Sequence, residues 1–411
     1  MHILLIGGPR PMHPAVLRRA RVTHVVRRSR AAAPDLAAAH ARVLVVKDDE
    51  RDEAIAGCAA AIDAVDRLDR VVCLHDEEQL TAAHVARALG RPFLHAPEIV
   101  ARARDKRRMR DHLQAVGFEE VDSELVEGLD RLLAFAARVG FPLIIKPIDG
   151  QGSLSIHKAR EERDLRRIHA ELVARPGAPR YVVERFLEGE EYSVEALSEG
   201  GVHRVLAVTG KLWHDDESFV ETGYVVPAAI SPQRDAEIRA YVRAALTALG
   251  IQDGPTHTEL KYTAEGPRLI ETHTRVGGDS IAELVRLATD VDYIGLVVRQ
   301  ALGESVLAEV AEEPGFPRAA AVRFSLPPGE GRVERVEGVE EARRMPGVAY
   351  VEVFVAPGAW VDPRPSYPNR RVMAGAVGAD REEALLRAER ARDAVRLVLS
   401  PGEPPDGARG A

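Results

Sequence analysis

The sequence is poor in the features that mark three classes of protein. Its 411 residues include two cysteines, Cys58 and Cys73. Two thiols cannot make a disulfide scaffold, and nothing around them has the spacing of zinc ligands. A basic excess is missing too: Lys and Arg total 56 against 64 Asp and Glu, a formal net charge of −8, so no nucleic-acid partner is expected. No apolar run approaches the length that crosses a bilayer, so no membrane partner is expected either. The opening Met1-His2-Ile3-Leu4-Leu5-Ile6 lacks the cationic leader and cleavage site of a signal peptide. What is present is 45% apolar residues, ample for several cores. At about 150 residues per domain the length suggests two to four domains. A cytoplasmic globular protein is the simplest expectation.

The first hundred residues alternate short apolar runs with helical patterns. Ile3–Ile6, Thr23–Val26, Val43–Val46 and Val71–Leu74 read as strands, Asp52–Asp69 and Glu77–Leu89 as helices. That alternation predicts a mostly parallel sheet covered on both faces. Gly7-Gly8 lacks the G-x-G-x-x-G of a dinucleotide loop and reads as a tight turn. Residues 101–117 read as one basic helix with most arginines on a solvated face.

A helix at Leu132–Arg138, a strand at Phe141–Pro147, a glycine turn, a returning strand and a helix at Glu161–Ala174 follow. Strands then dominate: Tyr181–Phe186, Tyr192–Ser198, Val202–Lys211 and Gly223–Val226. After a helix at Gln233–Leu249 comes a hairpin of Thr256–Thr263 and Pro267–Arg275, then a helical stretch over Ser280–Gly303. Beyond Pro314-Gly315 the composition turns to Pro, Gly and period-two strands such as Tyr350–Val355. A last helix over Glu382–Leu399 precedes a Pro/Gly tail expected to be disordered.

The hairpin is the strongest chemical signal. Alternation puts Glu271, His273 and Arg275 on one face of their strand. A three-residue loop, Ala264-Glu265-Gly266, sets Glu259 opposite Glu271 and His257 opposite His273. Directly opposed Cβ atoms are about 5 Å apart, and two carboxylates at that separation repel unless a cation lies between them. Oxygen ligands suit Mg²⁺ shared with substrate phosphates. A solvated face balanced by Lys261 and Arg275 is the bland alternative, and a two-residue loop would break the pairing.

Two weaker signals accompany it. Lys146 precedes Asp149-Gly150-Gln151-Gly152-Ser153, a glycine turn whose N–H groups could close over phosphate oxygens, although strand–turn–strand hairpins of this kind are common. Tyr181–Arg185 breaks into Phe186-Leu187-Glu188-Gly189-Glu190-Glu191, an acidic turn that could offer backbone groups to a base and a carboxylate to a sugar, or could be a charged connection.

In this order the three segments resemble the ATP-grasp superfamily. The resemblance runs from Asp105-Lys106 through Ile144-Ile145-Lys146-Pro147, the glycine turn, Glu184–Glu191 and Glu259 to Leu269–Asp279, and the upstream α/β region resembles that superfamily's pre-grasp domain. It implies an α/β fold, α+β in the grasp lobes. The expected parts are a parallel pre-grasp domain over 1–100 and the ATP-grasp domain over 101–313, with a small lid lobe at about 122–187. A small β-rich C-terminal domain over 314–400 and the tail 401–411 complete it.

The resemblance further implies roles. Lys106 and Lys146 would bind ATP phosphates, with Gly150, Gly152 and Ser153 in a mobile lid. Glu184 and Leu187 would reach adenine through backbone atoms and Glu191 would hold the ribose. Lys211 would reach the γ-phosphate or be a surface lysine. Glu259 and Glu271 would hold Mg²⁺, with Mn²⁺ an alternative ion. His273 occupies the third metal position, where the family usually has Asn, and imidazole is a poor Mg²⁺ ligand. Arg275 would stand beside the reacting carboxylate, and with Lys146 is expected to be catalytic.

Leu269–Asp279 and Phe219–Tyr224 look most like the L-amino-acid ligases that form dipeptides. On that likeness Glu221, Tyr224, Arg275, Gly277 and Gly278 would contact substrate, with a packing role for Glu221 and the two glycines as the alternative. The expected activity is an ATP-dependent carboxylate–amine ligase working through an acyl phosphate, with ADP and phosphate released. Its partners would be small-molecule carboxylates and amines, amino acids first, and a homodimer is the assembly considered. An ATP-grasp carboxylase or purine-pathway ligase, and a non-catalytic nucleotide-binding regulator, are the alternatives.

Overall fold

The computed structural model describes residues 1–31, 39–147, 156–173, 180–214, 220–364 and 366–402. The glycine turn Asp149–Ser153 and the tail beyond residue 402 lie outside these. Among the described residues no helix is long and apolar enough to cross a membrane.

Strands β1 (His2–Ile6), β2 (Arg21–Arg27), β3 (Arg42–Val46) and β4 (Arg70–Val72) form a parallel sheet in the order β3-β2-β1-β4. Strand β1 is buried throughout, as its unbroken apolar run requires of a strand covered on both sides. Leu4 and Ile6 meet Ile55, Val85 and Ala86 of the helices Asp52–Val65 and Gln79–Leu89 on one face. On the other face Ile3 and Leu5 meet Val298 and Ala301 of the helix Tyr293–Ala301. The second cover therefore comes from another part of the chain, nearly three hundred residues later.

The basic segment expected as one helix is two, Pro97–Arg104 and Lys106–Ala115. Asp105 leaves helical geometry and caps the second, its Oδ1 accepting the N–H groups of Arg107 at 2.9 Å and Arg108 at 3.1 Å. The break places Lys106 at a helix start while Met109 and Leu113 enter the core.

The small lobe is an antiparallel sheet of β5 (Ser123–Glu127), β6 (Leu143–Pro147), β7 (His157–Ala159) and β8 (Arg180–Arg185), ordered β5-β8-β6-β7. Helices Leu129–Val139 and Glu162–Val173 cover it through Leu132, Phe135, Leu165 and Ile168.

The largest sheet contains β9 (Glu190–Glu199), β10 (Val202–Trp213), β11 (Glu221–Val226), β12 (Gly254–Thr263), β13 (Gly266–His273) and β14 (Ala319–Ser325). Beyond the short β15 (Gly331–Glu337) it continues in β16 (Val348–Val353) and, past β17 (Trp360–Val361), in β18 (Val372–Gly378), giving the order β13-β12-β9-β10-β11-β14-β18-β16. The helix Pro232–Ala248 covers one face, and Ile281–Thr289 with Tyr293–Ala301 the other. The C-terminal part is β-rich as expected, but the β11–β14 pairing makes three of its strands, β14, β18 and β16, an extension of the grasp sheet.

Two expected helices are corrected. Ser280–Gly303 is broken at Asp290, which has φ +61°, and Asp292 caps the second half by accepting the Gly295 N–H at 3.0 Å. The last helix ends at Ala394, and β19 (Arg396–Ser400) joins β15 and β17 in a small sheet. Leu397-Val398-Leu399 fits a strand that completes a neighbouring ladder.

Candidate active site

The turn of the hairpin has two residues, Ala264-Glu265, between paired Thr263 and Gly266. Counted from that turn, Glu259 would meet Ile270. The ladder follows this count as far as Leu260 and Leu269, where a bulge leaves Ile270 unpaired. One extra residue resets the register. Glu259 then faces Glu271, and His257 faces His273. The expected pairing is correct and the expected loop is not.

Lysines occupy the space around the two carboxylates. Lys106 bonds to Glu271. Lys211 on β10, its side chain 2% exposed, lies 2.7 Å from Glu191, 3.1 Å from Glu259 and 3.7 Å from Glu221. Lys146 bonds to Glu184, which Arg110 also approaches at 3.4 Å. Burial alone would make these carboxylates weaker acids. It does so at Glu191 and Glu221, despite Lys211. At Glu259 and Glu271 burial is outweighed by Lys211 and Lys106 respectively, and both are held below the usual carboxylate range. Burial likewise loses to Lys146 and Arg110 at Glu184, which is held at about 2.

Behind Glu259 stands His257. Burial would strip its proton, yet Glu195 and Glu259 raise it to about 9. Its Nδ1 bonds to Glu195 and its Nε2 lies 3.2 Å from Glu259. On the Glu271 side, His273 Nε2 lies 3.4 Å from Glu271, and Asp76 at the end of the parallel sheet lies 3.7 Å from His273 Nδ1 and 3.6 Å from Arg275 Nε.

Two family likenesses bear on this chain, and the first covers most of this geometry. Residues 139–283 match the family described as ATP-grasp domain, and residues 323–400 match L-amino acid ligase C-terminal domain 2. The chain contains an ATP-grasp domain. The first match contains Lys146, Glu184, Glu191, Lys211, Glu259, Glu271 and Arg275, while Lys106 and Asp76 lie outside it.

Among curated relatives, dapdiamide A synthase of Enterobacter agglomerans is 25% identical over 74% of this chain and 70% of its own length. Alanine–anticapsin ligase of Bacillus subtilis strain 168 is 26% identical over 54% of this chain and 52% of its own. The chain spans 52% to 70% of the first curated relatives it matches. The L-amino acid ligase from Bacillus licheniformis has the same fold, with a TM-score of 0.83, 24% identity and coverage of 98% of this chain and 99% of that one.

Within this ATP-grasp site the remaining expected residues fall as follows. Glu184 sits in the middle of the lobe sheet, paired with Ser123 and Ile144. Its backbone belongs to the ladder and its carboxylate to Lys146, whereas Leu187 lies past the end of β8. Gly189 follows in a conformation only glycine adopts freely, φ +149°, and a Cβ there would stand 2.2 Å from the Tyr262 carbonyl oxygen. That close approach fixes the turn leading to Glu191.

Glu221 and Tyr224 lie on β11, and Tyr224 donates to Asp279 at 3.3 Å. Gly277 answers to packing, because its N–H donates to Glu195 at 2.9 Å and a Cβ would meet Glu195 at 2.8 Å. It is not free for a substrate carboxylate, whereas Gly278 stands open. Gly150, Gly152 and Ser153 lie outside the described residues. Sequence reasoning passed over Asp76, Arg110 and Glu195. Asp76 alone had a signal, since ligands gather at the carboxyl ends of parallel strands.

Two directly paired, ionised carboxylates suit a hard divalent cation shared with phosphate oxygens. Among the described residues no group of three His, Cys, Asp or Glu could hold a metal without such help. The donor set fits Mg²⁺ brought in with a nucleotide.

Proposed function

We propose that this protein is an ATP-dependent carboxylate–amine ligase that joins amino acids through an acyl phosphate. The observation that carries the reading is the Glu259–Glu271 pair with Lys106 and Lys211 bonded to it and Lys146 nearby in the same charge network. Each lysine has a carboxylate for a partner here, and each could exchange it for a phosphate. Glu259 and Glu271 would hold Mg²⁺, or Mn²⁺, which would neutralise phosphate charge. His273 is better suited to orient Glu271 than to ligate the metal.

Lys106 and Lys146 would take phosphate oxygens, and Lys211 would reach the γ-phosphate. Glu191 would hold the ribose and Leu187 the base. Arg275, steadied by Asp76, would orient the reacting carboxylate, whose oxygen attacks the γ-phosphorus as ADP leaves. The amine nitrogen then attacks the acyl carbon, loses a proton, and expels phosphate that carries the former carboxylate oxygen. The side chains contribute positioning and electrostatics. Phosphate release across a grid of L-amino-acid pairs tests this. Release that requires two amino acids supports the reading, and ATP consumption indifferent to any amine removes it.

A further inference from the structure

The C-terminal extension plays no part in the mechanism above, yet it sends one arginine to the substrate side of the site. Arg370, just before β18, is 6% exposed. Its Nη2 donates to Asp279 Oδ2 at 2.6 Å. The guanidinium carbon lies 4.1 Å from the ring centre of Phe324 and 3.9 Å from that of Tyr367, contacts that favour a cation. Its Nη1 is buried and has no hydrogen-bond partner among the described residues. A buried, charged donor left without an acceptor is costly. A fork with one arm fixed and the other free has the geometry that recognises an anion.

The anchor is equally specific. Asp279 also accepts from Tyr367 at 2.8 Å and from Tyr224 at 3.3 Å, so three donors from different parts of the chain occupy its carboxylate. Asp279 and Ser280 both have left-handed backbones, φ +49° and +65°, a conformation costly for non-glycine residues and concentrated at functional sites. Lys211, paired with Tyr224 across the ladder, lies 3.7 Å from Glu221, so Glu221 and Tyr224 stand on the same side of β11. A carboxylate and a half-free guanidinium therefore flank the same region. That is the complement of an amino-acid zwitterion.

We infer that Arg370 binds the α-carboxylate of the amine-donating amino acid through its free nitrogen, with Glu221 receiving the ammonium group. The inference rests on the ligase reading and adds a residue that determines which amines are accepted. The acid-donating substrate needs its carboxylate at the phosphates, beside Arg275, so the second guanidinium serves the second substrate.

The test compares the twenty L-amino acids with their carboxamides as amine donors, using an equimolar L-amino-acid pool as acid donor and resolving dipeptides from dipeptide amides by mass, since a dipeptide amide forms only from the carboxamide. Wild type should favour the free acids. Arg370→Met should raise KM for the free-acid amines roughly 10- to 100-fold, change KM for the amides little, and leave KM for ATP unchanged. Arg370→Lys guards against a folding defect. It keeps a cation for Asp279 but offers no second nitrogen at the Nη1 position, so it should keep the melting temperature and still lose discrimination between acid and amide. Equal losses for acids and amides, or retained discrimination in both variants, would overturn the inference while leaving the ligase reading intact. If wild type formed neither dipeptide nor dipeptide amide, that reading would fall, and this inference with it.

Discussion

Glu259 faces Glu271 only because Ile270 is one residue more than the β13 ladder can pair. The two-residue turn alone would have set Glu259 against Ile270. The bulge turns Glu271 back to the face where Lys106 and Lys211 lie, so a local irregularity of the backbone sets the two carboxylates together.

Neutralising one member of that pair should therefore end metal-dependent turnover without unfolding the protein. Glu271→Gln is expected to lower ADP formation at least a hundredfold, with a melting temperature close to that of wild type. Normal turnover at ordinary Mg²⁺ concentration would show that the hairpin is not the metal site.

Lys211 is the sole described cation within 4 Å of Glu191, Glu221 and Glu259 together. With its side chain 2% exposed, Lys211→Met should destabilise the nucleotide-free protein by about 3 kcal/mol, because buried carboxylates lose their counterion. Mg²⁺ should restore part of that loss by binding the folded state. Urea unfolding with and without Mg²⁺ measures both, and a deficit that Mg²⁺ does not reduce would contradict the shared role.

His257 should leave a signature in the pH dependence of stability. Its pKa is raised in the folded state from 6.5 to about 9, because burial is outweighed by Glu195 and Glu259. The stabilisation is complete below about pH 6.5 and is lost as pH rises towards 9, where the folded protein gives up the proton. The full effect is up to about 3 kcal/mol. Wild type should lose stability over that window relative to His257→Gln, and parallel profiles would show that His257 is neutral in the fold.

Arg275 is braced from the N-terminal sheet, with Nε 3.6 Å from Asp76 and Nη1 donating to the Val276 carbonyl at 2.9 Å. Arg275→Met should keep ATP affinity and lower amide formation by a few hundredfold, about 3 kcal/mol at the transition state. Lysine should rescue poorly, because a point charge does not reproduce a planar fork. Asp76→Asn should cost about tenfold through lost orientation. A lowered melting temperature with normal product formation would make the Asp76–Arg275 contact structural only.

The sequence showed the local parts of this site and little of what joins them. Period-two alternation and a short turn exposed Glu259, Glu271, His257 and His273, because hairpin partners are neighbours in the chain. The bulge was invisible, since nothing in Leu269-Ile270-Glu271 distinguishes a bulged residue from a paired one; a loop one residue too long and the missed bulge cancelled, and left the pairing at Glu259 and His257 correct. Asp105 and Asp292 are capping residues that a run of helix formers concealed, and β19 was hidden in the helical pattern that precedes it. Asp76, Glu195 and Arg370 reach the site from distant segments. Their roles depend on which strands and loops become neighbours, and that depends on the packing of the whole sheet.

Phosphorylation of a substrate carboxylate is expected to precede attack by the amine. It is tested most directly with L-amino acids labelled with ¹⁸O in both carboxylate oxygens, by mass analysis of the phosphate released during amide formation. One labelled oxygen in each phosphate is the predicted result, because the oxygen that attacks the γ-phosphorus departs with it. Amide formed with unlabelled phosphate would contradict the acyl-phosphate account, whatever the substrates prove to be.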